Sequence, residues 1–311
     1  MIYFEKQAFE LLKYQYHHND VYRSYCDLIN VDPSDVHKLT DIPFLPIALF
    51  KSHLISCTKK SEMIFESSGT GGPVSQHHVA SLAAYEQSFN AGFSHFYGAA
   101  SDYHILALLP GYLKRPNASL VYMCRHLIRQ AKPNNSGFYL NQFETLKNVL
   151  IALNKKKQKT LLIGVSFALL DFCEEYPMQL QHTTVMETGG MKGRRKELIR
   201  EELHERLKAG FGVENIHSEY GMTELLSQAY SKGNGIFKPS PSMRVFVRDV
   251  HDPKKVTSTG YGGLNIIDLS NKESCAFIAT QDLGKCHENG QFEVLGRFDA
   301  ADVRGCSLMT A

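Results

Sequence analysis

Thr160-Leu161-Leu162-Ile163, and further on Thr183-Thr184-Val185-Met186 stopping at Glu187-Thr188-Gly189-Gly190, decide the fold class. Both are short, continuous apolar or β-branched runs, the pattern of a strand buried on both faces. Working outward, Phe143 to Asn154 reads as a helix before the first run, and the Lys155 to Lys159 segment between them as a solvated loop. A charged helix, Arg194 to Ala209, is expected after the second run. Further toward the N-terminus, Leu120 to Gln130 is helical and Tyr103 to Leu109 is a buried strand ended by Pro110-Gly111. Alternation of this kind predicts an α/β fold with a largely parallel central sheet flanked by helices. The first 30 residues read as helical, and Asp32-Pro33-Ser34-Asp35 is turn and cap chemistry. Past residue 240 the texture changes to short strands with turn signals: Met243 to Val250, Gly263 to Asp268, Cys275 to Thr280 and Phe292 to Leu295. Two domains are therefore expected, an α/β body over 1–240 and a smaller β-rich subdomain over 241–311.

Composition narrows the function class. Lys and Arg number 34 against 32 Asp and Glu, so the net charge of +2 gives no global attraction for nucleic acid or an anionic membrane. Seven scattered cysteines make no Cys-x-x-Cys pair, which leaves zinc ribbons and thioredoxin-like motifs without support. The longest apolar stretch, Leu161 to Leu170, is too short to span a bilayer, and the first residues lack a signal-peptide layout. A cytoplasmic protein with reduced thiols is expected.

Chemistry concentrates in four segments. Ser67-Ser68-Gly69-Thr70-Gly71-Gly72-Pro73 follows a strand candidate and precedes a helical stretch from Ser81. Its glycines let backbone N–H groups close on an anion, and its hydroxyls add donors for phosphate oxygens. The Gly-Lys-Ser/Thr ending of a Walker loop is missing, and such a cluster alone is more often a polar surface turn. Glu187-Thr188-Gly189-Gly190 lies at a strand end, where open α/β sheets bind ligands; its bland reading is a tight turn. In His217-Ser218-Glu219-Tyr220-Gly221-Met222-Thr223-Glu224, Tyr220 can stack on a base, Thr223 bond a phosphate and Glu224 hold Mg2+. Helix capping is the alternative for Ser218 and Thr223. Finally, Asp282 in Thr280-Gln281-Asp282-Leu283-Gly284 can accept ribose hydroxyls, and Arg297 in Gly296-Arg297-Phe298-Asp299 can reach a ribose or phosphate. His77, close to the loop, is a candidate for orienting ATP or an acid.

Taken in order, these segments resemble the adenylate-forming superfamily over residues 65 to 305. Within it the chain is most similar to the acyl-protein synthetases, the fatty-acid-activating component of bacterial luciferase systems. Pro43-Phe44-Leu45-Pro46-Ile47, Phe50-Lys51-Ser52-His53, Ser75 with His77, Lys192-Gly193-Arg194 and Asp302-Val303-Arg304-Gly305-Cys306-Ser307-Leu308 carry that likeness. The resemblance implies that Ser67, Ser68, Gly69, Thr70 and Gly71 cradle ATP phosphates. It places Gly189, Gly190 and Tyr220, with Gly221 beside it, around adenine, and Thr223 and Glu224 at the α-phosphate and Mg2+. Asp282 would take the ribose and Arg297 the ribose or phosphate. The implied reaction turns ATP and a fatty carboxylic acid into an acyl-adenylate, then passes the acyl group to a thiol of the enzyme. Cys306, beside Arg304, is the thiol the likeness selects; its bland reading is an incidental free cysteine.

Two departures accompany the likeness. The loop carries Val74-Ser75-Gln76 where a lysine is common, and the sequence ends 12 residues after Asp299, short of the lysine-bearing domain of larger relatives. Both remove positive charge from the phosphates; Lys51, Lys192, Arg194 and Arg195 are candidates to replace it. The alternatives kept open are a ligase acting on CoA or a carrier protein, and a nucleotide- or acyl-binding subunit without turnover. An acyl-accepting or acyl-donating partner protein is compatible with the first two readings.

Overall fold

The computed structural model describes residues 2–68, 73–110, 117–189 and 198–298. They form two compact units. One contains the chain up to residue 85, the short segment 223–227 and the chain from 238 on; the other contains 86–222 and 228–237.

The first unit begins with helices α1 (Ile2–His18) and α2 (Asp20–Leu28). Asn19 separates them: its side-chain oxygen accepts from the Tyr22 N–H at 3.0 Å, an N-cap that starts the second helix. Strand β1 (Leu45–Pro46) follows, then the antiparallel hairpin β2 (Met63–Glu66) and β3 (Gln76–Val79). The glycine-rich segment is thus the connection of a β-hairpin, not the strand-to-helix loop expected from the sequence. The physical reason lies in Gln76 to Val79. Phe65 pairs with His77, and burial alternates with period two along the strand, so it pairs back on β2 before the chain turns helical at Leu82.

The second unit holds most of α3 (Leu82–Tyr97), then β4 (His104–Leu108), α4 (Ser119–Gln130), β5 (Gly137–Phe138), α5 (Phe143–Lys155) and β6 (Thr160–Val165). It continues through α6 (Ser166–Glu175), β7 (Thr183–Thr188), α7 (Arg200–Phe211), β8 (Ile216–Tyr220) and β9 (Ala229–Ser231). Strands β5, β4, β6, β7 and β8 lie side by side in that order, all parallel, and β9 closes the set antiparallel to β8. Every residue of β4 and β6 is buried, as the apolar runs require. The parallel α/β expectation therefore holds. The expected helix from Arg194 begins, among the described residues, at Arg200.

Strand β10 (Ile236–Pro239) leads back into the first unit. There β11 (Met243–Arg248), β12 (Val256–Thr257), β13 (Gly260–Asp268), β14 (Phe277–Cys286) and β15 (Phe292–Arg297) pair antiparallel in the order β12-β11-β13-β14-β15. Strand β1 adds in parallel to β14, Leu45 opposite Ile278 and Pro46 opposite Ala279. The N-terminal helices fasten onto the link between β13 and β14 through fully buried amides. Gln15 Nε2 donates to the carbonyls of Asn271 and Lys272, Gln15 Oε1 accepts from the Ala276 N–H, and Asn19 Nδ2 donates to Ser274 O, all within 2.8–3.0 Å. Among the described residues no helix is long and apolar enough to cross a membrane.

Candidate functional site

The expected site residues fall into two groups, one in each unit. In the first unit, the nine-residue connection after β2 is closed at its base. Ser67 N–H donates to Ser75 O at 3.0 Å, and the Ser75 N–H returns to Ser67 Oγ at 2.9 Å. Gly69, Thr70 and Gly71 lie outside the described residues; Ser67 and Ser68 lie inside. Ser75 is buried, and its side chain bonds to the Glu224 carboxyl. That places a hydroxyl from the base of the glycine-rich connection directly on the carboxylate that the sequence singled out.

Glu224 is 5% exposed. Burial pushes its pKa up, the Ser75 bond and the Arg297 charge pull against that, and the Asp282 charge adds to it. Asp282 stands opposite Arg297 across β14 and β15, with 3.7 Å between Arg297 Nε and Asp282 Oδ1. Asp282 sits within the continuous strand β14, where it pairs with Arg297 of β15 while Leu283 and Gly284 pair with both β13 and β15. Asp282, Arg297, Ser75 and Glu224 therefore form one mixed-charge cluster drawn from four separated segments.

The backbone of Thr223 to Ser227 is held from behind by His77, which the sequence singled out, and by Asn271 and Asp268, which it did not. His77 Nδ1 lies 2.7 Å from Thr223 O. Asn271 Nδ2 donates to Glu224 O and Cys275 O, both at 2.8 Å. Asp268, fully buried, accepts from the N–H groups of Leu226 (2.8 Å), Ser227 (2.9 Å) and Ser270 (3.1 Å) and from Ser227 Oγ (2.6 Å). Buried carboxylates persist only with such a full set of donors. The signal available in the sequence was the Asp268-x-x-Asn271 spacing after an apolar strand, a turn pattern too common to select.

In the second unit, site residues gather where β6, β7 and β8 end. Gly189 follows β7 with φ +68°, a left-handed conformation that glycine adopts without strain. Its carbonyl accepts from Ser166 Oγ at 2.6 Å, and the same hydroxyl lies 3.0 Å from Glu187 Oε2. Glu187 also meets Arg200 Nη1 at 2.8 Å and His204 Nε2 at 3.7 Å. Burial works to raise its pKa, but the His204 bond, the Arg200 charge and the Ser218 bond outweigh it, and the net shift is downward. Gly190 lies outside the described residues. Tyr220 packs edge-on against Phe237, 5.9 Å between centroids, and Arg200 lies over the other ring at 5.0 Å. Side chain alternation along β8 sends Ser218 and Tyr220 to this face and His217 and Glu219 to the opposite one.

On that opposite face Glu219 accepts from Thr188 Oγ1, and a Cβ at Gly221 would collide with its Oε1. Burial raises the Glu219 pKa to about 7; the Thr188 bond opposes this and the Glu187 charge adds to it. A carboxyl whose pKa is higher folded than unfolded takes up a proton on folding, so its contribution to stability falls as pH rises from 4.5 to 7. A Glu219→Gln protein lacks that loss and can still accept from Thr188. Denaturant titrations at pH 5 and pH 8 should show its stability relative to the parent rising at the higher pH; an unchanged difference would refute this assignment. His217 beside it bonds Tyr97 at 3.1 Å, and burial followed by the Lys232 charge lowers its pKa to about 4.

None of the six described cysteines is placed as a nucleophile. Five are buried, and Cys57, half-buried, has its pKa pushed by burial up to about 12. Cys306 lies outside the described residues. Among the described residues no three His, Cys, Asp or Glu side chains converge on a metal position. A lone carboxylate nevertheless suits Mg2+, which usually keeps its waters and takes one or two carboxylates together with substrate phosphates. Glu224, buried with its pKa raised, fits that need for a cation.

Comparison with known proteins bears on the fold and the family. Among solved structures the chain is similar to ATP-bound MatB from Rhodopseudomonas palustris, at 16% identity and a TM-score of 0.56, over 75% of this chain and 47% of that one. It is also similar to O-succinylbenzoate coenzyme A synthetase from Bacillus subtilis in complex with AMP, at 17% identity and a TM-score of 0.52, over 77% and 62%. The chain thus spans about half the length of MatB, and at these identities the likeness is one of fold. Among curated proteins it is 26% identical to the long-chain-fatty-acid–luciferin-component ligase of Vibrio harveyi, covering 95% of this chain and 84% of the ligase. The ligase of the same name from Aliivibrio fischeri is 24% identical, over 99% and 87%. A family model for the acyl-protein synthetase LuxE matches residues 2–311, and the chain belongs to that family.

Proposed function

We propose that this chain is an ATP-dependent acyl-protein synthetase that activates a long-chain fatty acid and passes its acyl group to a thiol. The observation that carries the reading is the cluster of Ser75, Glu224, Asp282 and Arg297. It joins the base of the glycine-rich connection to two of the three other segments that the family resemblance selects, the one ending at Glu224 and the one holding Asp282 and Arg297. In the first unit, Ser67, Ser68, Gly69, Thr70 and Gly71 hold ATP phosphates, Thr223 meets the α-phosphate, Asp282 the ribose and Arg297 the ribose or phosphate. Glu224 would hold Mg2+, which would supply charge neutralisation for the phosphates. The family resemblance assigns the adenine to Gly189, Gly190, Tyr220 and Gly221.

The chemistry balances in two steps. A carboxylate oxygen of the acid attacks the α-phosphorus, forming an acyl-adenylate as the bond to the leaving pyrophosphate breaks. A thiolate then attacks the acyl carbon, forming a thioester and releasing AMP. Cys306 is the proposed thiol, and an acceptor protein the next recipient. Reduced thiols suit a cytoplasmic location for this chemistry.

The test is exchange of labelled pyrophosphate into ATP with a panel of acids from acetate to tetradecanoate, each with Mg2+. Exchange that depends on a long-chain acid is expected. Absence of exchange with every acid would leave the non-catalytic binding subunit as the better reading.

A further inference from the structure

His77 is 1% exposed, with the edge of its ring system set against Phe50 at 5.8 Å between centroids and 89° between planes. Both ring nitrogens face acceptors. Nδ1 faces Thr223 O at 2.7 Å, and Nε2 faces Asn271 Oδ1 at 3.2 Å. The Asn271 orientation is fixed, because its Nδ2 already donates to the two carbonyls of Glu224 and Cys275. Turning that amide over would set an oxygen against two oxygens. Burial lowers the His77 pKa to about 4, so the ring carries one proton near neutrality. The shorter contact claims it: Nδ1–H donates to Thr223 O, and Nε2 is left facing the Asn271 oxygen without a donor. At 1% exposure the ring is enclosed by the fold and its one N–H is committed to the Thr223 carbonyl.

We propose that His77 is a positioning residue: its Nδ1–H fixes the Thr223 peptide while Asn271 fixes the next one, so that the Thr223 hydroxyl and the Glu224 carboxyl are presented together. The two carbonyls are consecutive, and each is held by a donor from a different part of the chain, β3 for His77 and the β13–β14 link for Asn271. Asp268 holds the amides two and three residues further on. A five-residue segment with four of its backbone groups tied this way has little freedom to rotate its peptide planes. The same strand that carries His77 leaves the glycine-rich connection through Ser75, which bonds Glu224. Strand β3 thus sets both the side chain and the backbone of the Thr223-Glu224 pair. The role rests on the proposed ATP chemistry, but its geometric core does not.

The replacements Asn and Gln separate the two ring nitrogens. An asparagine amide places its NH2 near the Nδ1 position, and a glutamine amide near Nε2. His77→Ala should lower kcat for acid-dependent pyrophosphate exchange about a hundredfold, the scale for a displaced reacting group, with KM for ATP and acid within about twofold. His77→Asn should recover most of that loss, and His77→Gln should not. Independently of activity, hydrogen exchange in a peptide spanning 223–227 should accelerate about tenfold in His77→Ala and His77→Gln, matching one lost buried bond. His77→Asn should stay near the parent rate.

A raised KM with unchanged kcat would mean that His77 touches a ligand, which overturns the proposal. Recovery by Gln in place of Asn would move the working contact to Asn271 and also overturn it. Failure of all three variants to fold would make His77 a stability residue only. If the parent shows no exchange with any acid, the proposed function fails, while the 223–227 exchange rates still decide the role of His77.

Discussion

A Cys306→Ala protein is expected to lose all covalent acyl load while keeping acid-dependent pyrophosphate exchange. The other described thiols are held in the fold as poor nucleophiles. Burial pushes the pKa of Cys26, Cys57 and Cys286 up to about 12, and raises those of Cys124 and Cys275 further in the same direction. A thiol of pKa 12 is thiolate in only about one molecule in 10⁵ at pH 7, and thiolate is the competent nucleophile. Cys173 is buried, with its Sγ donating to Leu170 O at 3.5 Å. Incubation with ATP, Mg2+ and tetradecanoic acid, followed by intact-mass measurement, should show one acyl adduct on the parent and none on Cys306→Ala. Neutral hydroxylamine should remove the parent's adduct, as a thioester requires. An adduct of the same mass on the variant would place the acceptor elsewhere and refute the assignment.

Asp268→Ala should be the most damaging single change to the first unit. The carboxylate satisfies three backbone N–H groups and a hydroxyl, and the residue has no solvent exposure. Truncation leaves those donors buried without an acceptor, at about 1–3 kcal/mol for each group that water cannot reach. A total loss of about 3–5 kcal/mol is expected after partial relaxation, in the range reserved for broken buried networks. Urea denaturation would measure it, and Asp268→Asn, which keeps one acceptor oxygen, should lose less. A loss below about 1 kcal/mol for the alanine variant would contradict the structure. Since Leu226 and Ser227 lie only two and three residues after Glu224, any surviving fold should also show weakened exchange activity.

Much of the second unit was legible from the chain. The apolar runs at Thr160 and Thr183 are strands because a parallel sheet covered on both faces leaves no room for alternation. Their order in sequence is also their order in space, save that β4 lies between β5 and β6. What the sequence could not reveal was long-range. Residues 45–46 pair with 278–279, and nothing local marks Leu45-Pro46 as a strand. Asp282 and Arg297 were each recognised singly, yet only strand register shows that they stand opposite each other. The hairpin at Gln76 was missed because Gln76-His77-His78-Val79 is short and mixed in character, and the helix after it is much the stronger signal. Glu187 and Asp268 escaped because a carboxylate at a strand end looks alike in sequence whether it is solvated or buried among donors.

The pairing of Gln15 and Asn19 with residues 271–276 has a consequence for how the protein is made. These bonds span about 255 positions, so during synthesis the first helices leave the ribosome long before their partners exist. The amides of Gln15 and Asn19, buried in the finished fold, must wait solvated, with apolar neighbours such as Leu12 and Tyr22 uncovered. Meanwhile the parallel strands from 104 to 220 can assemble from contacts much nearer in sequence. Growth at low temperature or with abundant chaperones should therefore raise the soluble yield, since the exposed interval is set by translation rather than by stability.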